Sequence, residues 1–143
     1  MKVAVRYQSR NGNTKAVAEV IAKMTGSVAK PISEPVEEDV DILFVGGGIY
    51  MWKADDHLLD FVRNLDGKKI GQLIAFSTAG AMSIASKQIL ECAKKRGISV
   101  NEKTFCLIMG AKGHSFLGLQ GGKLSEKQIG TVKKFVEELF VRN

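Results

Sequence analysis

Short strand-like apolar runs alternate with segments of helical periodicity along this chain, and that alternation restricts it to few architectures. Val3 to Tyr7, Val40 to Val45, Lys69 to Phe76 and Ile98 to Met109 read as extended runs. A shorter run, Ser27 to Ile32, contains Pro31, which cannot donate to a ladder, so a strand there belongs at a sheet edge. Between the runs, Ala16, Val17, Val20, Ile21 and Met24 mark one helical face before Gly26, and Leu58, Phe61, Val62 and Leu65 mark a second behind Asp55 and Asp56. Ile89, Cys92 and Ala93 mark a third, ending at Gly97. A last helix carries Ile129, Val132, Val136, Leu139 and Phe140 behind the capping-box sequence Ser125-Glu126-Lys127-Gln128. Alternating elements of this kind fold as α/β, a parallel sheet with helices on both faces, because crossovers between parallel strands need a helix-length segment. At 143 residues the chain is expected to form one domain over residues 1–143.

In such sheets ligands bind beyond the carboxyl ends of the strands, where the strand order reverses. Three of the strand-like runs end there in segments rich in small or polar residues. Gln8 to Thr14 joins the first run to the first helix, and a helix N-terminus with its unpaired N–H groups favours an anion. Ser9, Asn11, Asn13 and Thr14 add side-chain donors, and Gly12 lets the backbone take a positive φ or approach a ligand. The same residue types also make ordinary turns and caps. The second segment is Gly46-Gly47-Gly48 followed by Ile49, Tyr50, Met51 and Trp52, and the third is Ser77-Thr78-Ala79-Gly80. Both are expected to be loops. Together the three describe a pocket for a planar ring on a phosphorylated tail. Tyr50 and Trp52 are also consistent with surface aromatics on an α/β loop, a reading that weighs less for Tyr50 than for Trp52.

Charge and cysteine content narrow the function classes. The 21 basic and 15 acidic residues give a net charge of +6, yet the runs Lys94-Lys95-Arg96 and Lys133-Lys134 lie within helix-like segments and lack interleaved aromatics. They read as solvated helix faces, so no nucleic-acid partner is expected. The amino-terminal residues lack a secretory h-region and no apolar run approaches about 20 residues, so no membrane span is expected. Cys92 and Cys106 have no metal-ligand spacing and are expected as buried thiols in a reducing cytoplasm. His57 and His114 read as surface histidines. The region from Gly110 to Leu124, with its five glycines, reads as a long irregular loop that serves a site or is mobile.

The segment Ser9-Arg10-Asn11-Gly12-Asn13-Thr14 resembles the FMN phosphate loop of flavodoxins, whose pattern is Ser/Thr-x-Thr-Gly-x-Thr. The resemblance extends over essentially the whole chain. It implies a flavodoxin-like three-layer sandwich, a five-stranded parallel sheet of order 2-1-3-4-5 with helices on both faces, and FMN between the first and third strands. It also implies cofactor-binding residues: Ser9, Arg10, Asn11, Gly12, Asn13 and Thr14 at the phosphate, Gly47, Gly48, Ile49, Tyr50, Met51 and Trp52 along the isoalloxazine, and Ser77, Thr78, Ala79 and Gly80 at the pyrimidine edge and ribityl chain. Asn11 replaces the usual hydroxyl residue, and the loop at Ser77 to Gly80 lacks the tyrosine that commonly covers the outer flavin face, which leaves that face either open or covered by Phe116 or Leu117. No metal and no separate catalytic residue is implied.

The function implied by the resemblance is that of an FMN-binding, cytoplasmic electron-transfer protein that serves redox partner proteins. One alternative is a small FMN-dependent oxidoreductase acting directly on a quinone, porphyrinogen or other small planar acceptor, as the flavodoxin-like protoporphyrinogen oxidases, which start with a similar loop, suggest. A flavodoxin-fold interaction module without FMN is a third. Flavodoxins are typically acidic and dock on basic partners, whereas this chain is net basic, so its overall field favours anionic partners.

Overall fold

The computed structural model describes residues 1–9, 12–50, 53–79, 84–108 and 123–141, with Ile49, Tyr50, Lys53, Ala79, Ile84, Ile108 and Val141 described by backbone alone. Strand β1 (Val3–Gln8) leads into helix α1 (Asn13–Thr25), the short strand β2 (Ala29–Pro31), and the long strand β3 (Val40–Tyr50). A two-residue strand β4 (Lys53–Ala54) folds back on β3, followed by α2 (Asp56–Arg63), a single 3-10 turn at Gly67–Lys69, β5 (Ile70–Ala79), α3 (Ile84–Lys95), β6 (Phe105–Ile108) and α4 (Glu126–Val141). The parallel sheet has the order β2-β1-β3-β5-β6, which is 2-1-3-4-5 once the antiparallel β4 is set aside. This is the expected topology.

Period-two alternation sends successive residues to opposite faces, and both faces are apolar because both are covered. Ile42, Phe44, Ile74 and Phe76 pack with Val17, Ala18 and Ile21 of α1 and with Val132, Phe135 and Val136 of α4. Leu43, Val45, Leu73 and Ala75 pack against Leu58 and Val62 of α2 and Ala85, Ile89 and Ala93 of α3. Phe105 of β6 and Phe135 of α4 stack with centroids 4.7 Å apart, docking the last helix on the far strand. Helix ends follow the sequence signals. Gly26 (φ 70°) and Gly97 (φ 75°) take left-handed conformations past α1 and α3. Asp55 caps α2 by accepting from the His57 N–H at 2.8 Å. Ser125 and Gln128 exchange reciprocal bonds of 2.8 and 3.1 Å at the start of α4.

Four expectations change. Gly46 to Gly48 are not loop but strand, paired with β1 and β5. The glycines are there for packing: a Cβ on Gly46 would run into the Phe76 ring, and one on Gly47 into the Leu58 Cδ2. Ser77, Thr78 and Ala79 are likewise the last residues of β5, held between β3 and β6. The Ile98 to Met109 run is interrupted. It touches β5 through a bridge at Val100, turns at Asn101, whose Oδ1 accepts from Lys103 N–H at 2.8 Å, and pairs again only from Phe105. Cys92 and Cys106 are half-buried rather than fully enclosed. The reading of Gly110 to Leu124 as a loop falls outside the described residues through position 122, as does His114.

Candidate functional site

Sheet register brings the three predicted segments to one edge. Gln8 of β1 lies level with Gly47 of β3, Gly47 with Ser77 of β5, and Ser77 with Cys106 of β6. One step further, Gly48 is level with Thr78. The chain leaves β1 toward β2 by way of α1, while β3 reaches β5 by way of α2 on the opposite face, so the reversal of strand order falls between β1 and β3.

At this reversal Gly12 takes φ 92°, a left-handed value that its missing side chain makes accessible, and serves as the N-cap of α1. Its N–H is held by Ser9 Oγ at 3.0 Å, and its carbonyl accepts the first helical bond, from Ala16 N–H at 2.9 Å. The Ser9 hydroxyl thus closes the turn while its own proton stays available to a ligand. No acidic residue occupies the first turn of α1 and Lys23 stands in its last, so the helix dipole is not neutralised at the mouth of the loop.

Thr14 and Thr78 share a hydrogen bond of 2.7 Å between their hydroxyls, and both are buried. This ties the first turn of α1 to the end of β5, joining the first and third segments. A pair of hydroxyls spends one of its two protons on the mutual bond, leaving one to donate elsewhere. On the other sheet face Ser77 is fully buried, and its hydroxyl accepts from Ser86 Oγ at 2.9 Å. Ser86 also lies 3.2 Å from the Phe105 carbonyl. Ser86 carried no signal in the sequence because its role depends on α3 packing against the sheet. Gln88 is a second such residue: its Oε1 accepts from the Ala54 N–H at 2.6 Å and anchors β4.

Tyr50 pairs with Lys53 and Ile49 with Ala54 in the β3–β4 hairpin, so the backbone that precedes Met51 and Trp52 is fixed at the sheet edge. Arg10, Asn11, Met51, Trp52 and Gly80 lie outside the described residues. Ser9, Gly12, Asn13, Thr14, Gly47, Gly48, Ile49, Tyr50, Ser77, Thr78 and Ala79 all belong to this edge. His57 is exposed beside it, its Nδ1 3.2 Å from Asp55 Oδ1, a pairing that the sequence alone did not signal. Among the described residues no cluster of His, Cys, Asp and Glu could hold a metal ion, and no helix is long and apolar enough to cross a membrane.

A family defined by the flavodoxin domain matches residues 4–111, which include every segment of this edge. The chain belongs to the flavodoxin domain family. It is 38% identical to a flavodoxin of Aquifex aeolicus over an alignment that covers 55% of this chain and 50% of that protein. The chain thus spans about half the length of the curated relative it matches. Two flavodoxin structures share the fold over nearly their full lengths. One, flavodoxin 2 of Bacillus cereus in its oxidised form, superposes with a TM-score of 0.70 at 15% identity, covering 98% of this chain and 100% of that one. The other, a flavodoxin from the domain Archaea, gives 0.65 at 19% identity, covering 97% and 96%. At these identities the likeness establishes the architecture, and the chemistry rests on this chain's own residues.

Proposed function

We propose that this chain binds FMN at the carboxyl edge of β1, β3 and β5 and carries electrons between redox partner proteins. The observation that carries the reading is the convergence at one level of Gln8, Gly47 and Ser77 beside the glycine-capped N-terminus of α1. The donor set fits a phosphorylated flavin: a helix N-terminus without acidic residues for the phosphate, and a sheet edge without bulky side chains at Gly47 and Gly48 for the ring. Bound FMN would supply the one- and two-electron chemistry, with the protein contributing binding, orientation and electrostatics.

In this reading Ser9, Arg10, Asn11, Gly12, Asn13 and Thr14 hold the phosphate, Gly47 to Trp52 line the ring, and Thr78 to Gly80 close the site from the other side. Ser77, whose hydroxyl turns toward Ser86, joins that last segment through its backbone. Thr78 orients the Thr14 hydroxyl. The test is to reconstitute the protein with FMN, reduce it without air, and compare its reoxidation by a one-electron protein acceptor with its turnover of a quinone under NADPH. Stoichiometric transfer to the protein acceptor without sustained quinone turnover is expected. Sustained multiple turnover of the quinone without any partner protein would make the chain an enzyme instead.

A further inference from the structure

Two threonine hydroxyls at the carboxyl edge hold a proton that no described group accepts. Thr14, in the first turn of α1, and Thr78, near the end of β5, are 2% and 7% exposed, and their oxygens lie 2.7 Å apart. Among the described residues neither hydroxyl has a further partner. Two hydroxyls bring two protons and their mutual bond uses one, so a buried donor is left over. Buried donors are satisfied as a rule, and an unmet one points to a ligand group that would meet it.

The serine pair on the opposite face shows the contrast. Ser86, bonded to Ser77 at 2.9 Å, also lies 3.2 Å from the Phe105 carbonyl, so that pair ends on an acceptor within the protein. The threonine pair has no such terminus among the described residues. The residues level with Thr78 on its two neighbouring strands are Gly48 and Leu107, whose side chains offer no hydrogen bond.

Geometry alone allows either threonine to donate to the other. An anion at the α1 N-terminus decides between them. A phosphate oxygen only accepts, so Thr14 must turn its proton toward the phosphate and take the mutual bond as acceptor. Thr78 then donates to Thr14 and has no proton left. Toward any third partner the Thr78 oxygen can only accept.

We propose that the threonine pair selects a phosphorylated ligand that also carries a hydroxyl on the chain between its phosphate and its ring, Thr14 donating to the phosphate and Thr78 accepting from that hydroxyl. The inference rests on the FMN reading, in which that chain is the ribityl polyol. It goes beyond that reading by making Thr78 a determinant of specificity whose acceptor role is imposed through Thr14. A flavin with the phosphate but without chain hydroxyls leaves the Thr78 oxygen without a donor.

The test compares FMN with the analogue in which a phosphorylated pentyl chain replaces the ribityl chain, each titrated by flavin fluorescence into the parent and three variants. The parent should prefer FMN. Thr78→Val, close in shape but without the hydroxyl, should lose about fivefold of that preference, as expected for one bond between neutral groups. Thr78→Ser restores the hydroxyl and should keep the preference, while Thr14→Val should weaken both flavins because both share the phosphate. A thermal melt checks that each variant is folded. A valine variant that keeps the preference of the parent, a serine variant that loses it, or a parent that does not distinguish the two flavins would overturn the proposal. Riboflavin separates this outcome from failure of the cofactor assignment. A parent that binds FMN no more tightly than riboflavin lacks the phosphate anchor altogether, whereas a strong preference for FMN over riboflavin with an unchanged valine variant removes only the role of Thr78.

Discussion

The two faces of the sheet are built from the same alternating strands but finished differently. On one face α1 and α4 cover the strands, β6 included through the stacked Phe105 and Phe135, and the packing is close enough that Gly46 has no room for a methyl group beside Phe76. That face delivers the N-terminus of α1, pinned to β5 through Thr14 and Thr78. On the other face α2 and α3 cover β3 and β5, and the β1–β2 side is left to a helix-free connection held by Arg6. The difference lies in how the strands are covered: helices close one face, and on the other a connection without a helix stands beside β1.

The largest expected effect falls on the closed face, at the α1 N-terminus. Replacing Thr14 and Asn11 together by alanine should weaken FMN binding by about 3–6 kcal/mol, taking roughly 1.5–3 kcal/mol for each bond to a charged group. Fluorescence titration with FMN checks it. Next in size is Gly46→Ala, which should cost about 3 kcal/mol in urea unfolding because a buried aromatic ring must move. Gly47→Ala, meeting the flexible end of Leu58 on the other face, should cost about 1 kcal/mol. Equal costs would mean that the two faces are packed alike.

Arg6→Met should destabilise by about 2 kcal/mol by removing the donors that hold Glu34 and Pro35, and should loosen that connection before it affects flavin binding. Hydrogen exchange at residues 32–39 would show it. The smallest effect belongs to Lys2, whose Nζ lies 2.9 Å from Glu38 and whose hydrogen bond and charge hold that carboxyl below its ordinary value. A depressed carboxylate contributes stability above its unfolded pKa and loses it as pH falls through the lower folded value. Lys2→Met should therefore narrow the gap between neutral and acid stability only slightly, and not at all at high salt.

Much of this architecture could be read from periodicity. Helix faces, caps at Asp55 and Ser125 and the edge position of the Pro31 strand follow from local patterns, because each depends on residues near in sequence, whereas the sheet order was implied by the resemblance to flavodoxins. The ends of β3 and β5 could not be read this way. Glycine, serine and threonine at 46–48 and 77–78 resemble loops, yet they continue the sheet because Phe76 and Leu58 need the space above Gly46 and Gly47 and because Ser86 satisfies Ser77. The approximate site was visible in the residues after the first strand, while its reinforcement by Thr78, Ser86 and Gln88 depends on contacts 9 to 64 positions apart.

The proposed cofactor edge depends on a phosphate-anchored flavin at the α1 N-terminus. Titrating the purified protein with FMN and, separately, with riboflavin while following flavin fluorescence tests that anchor directly. FMN should be quenched and bound far more tightly than riboflavin. Equal affinity for the two would remove the phosphate from the loop between Ser9 and Thr14, and binding of neither would contradict the cofactor assignment altogether.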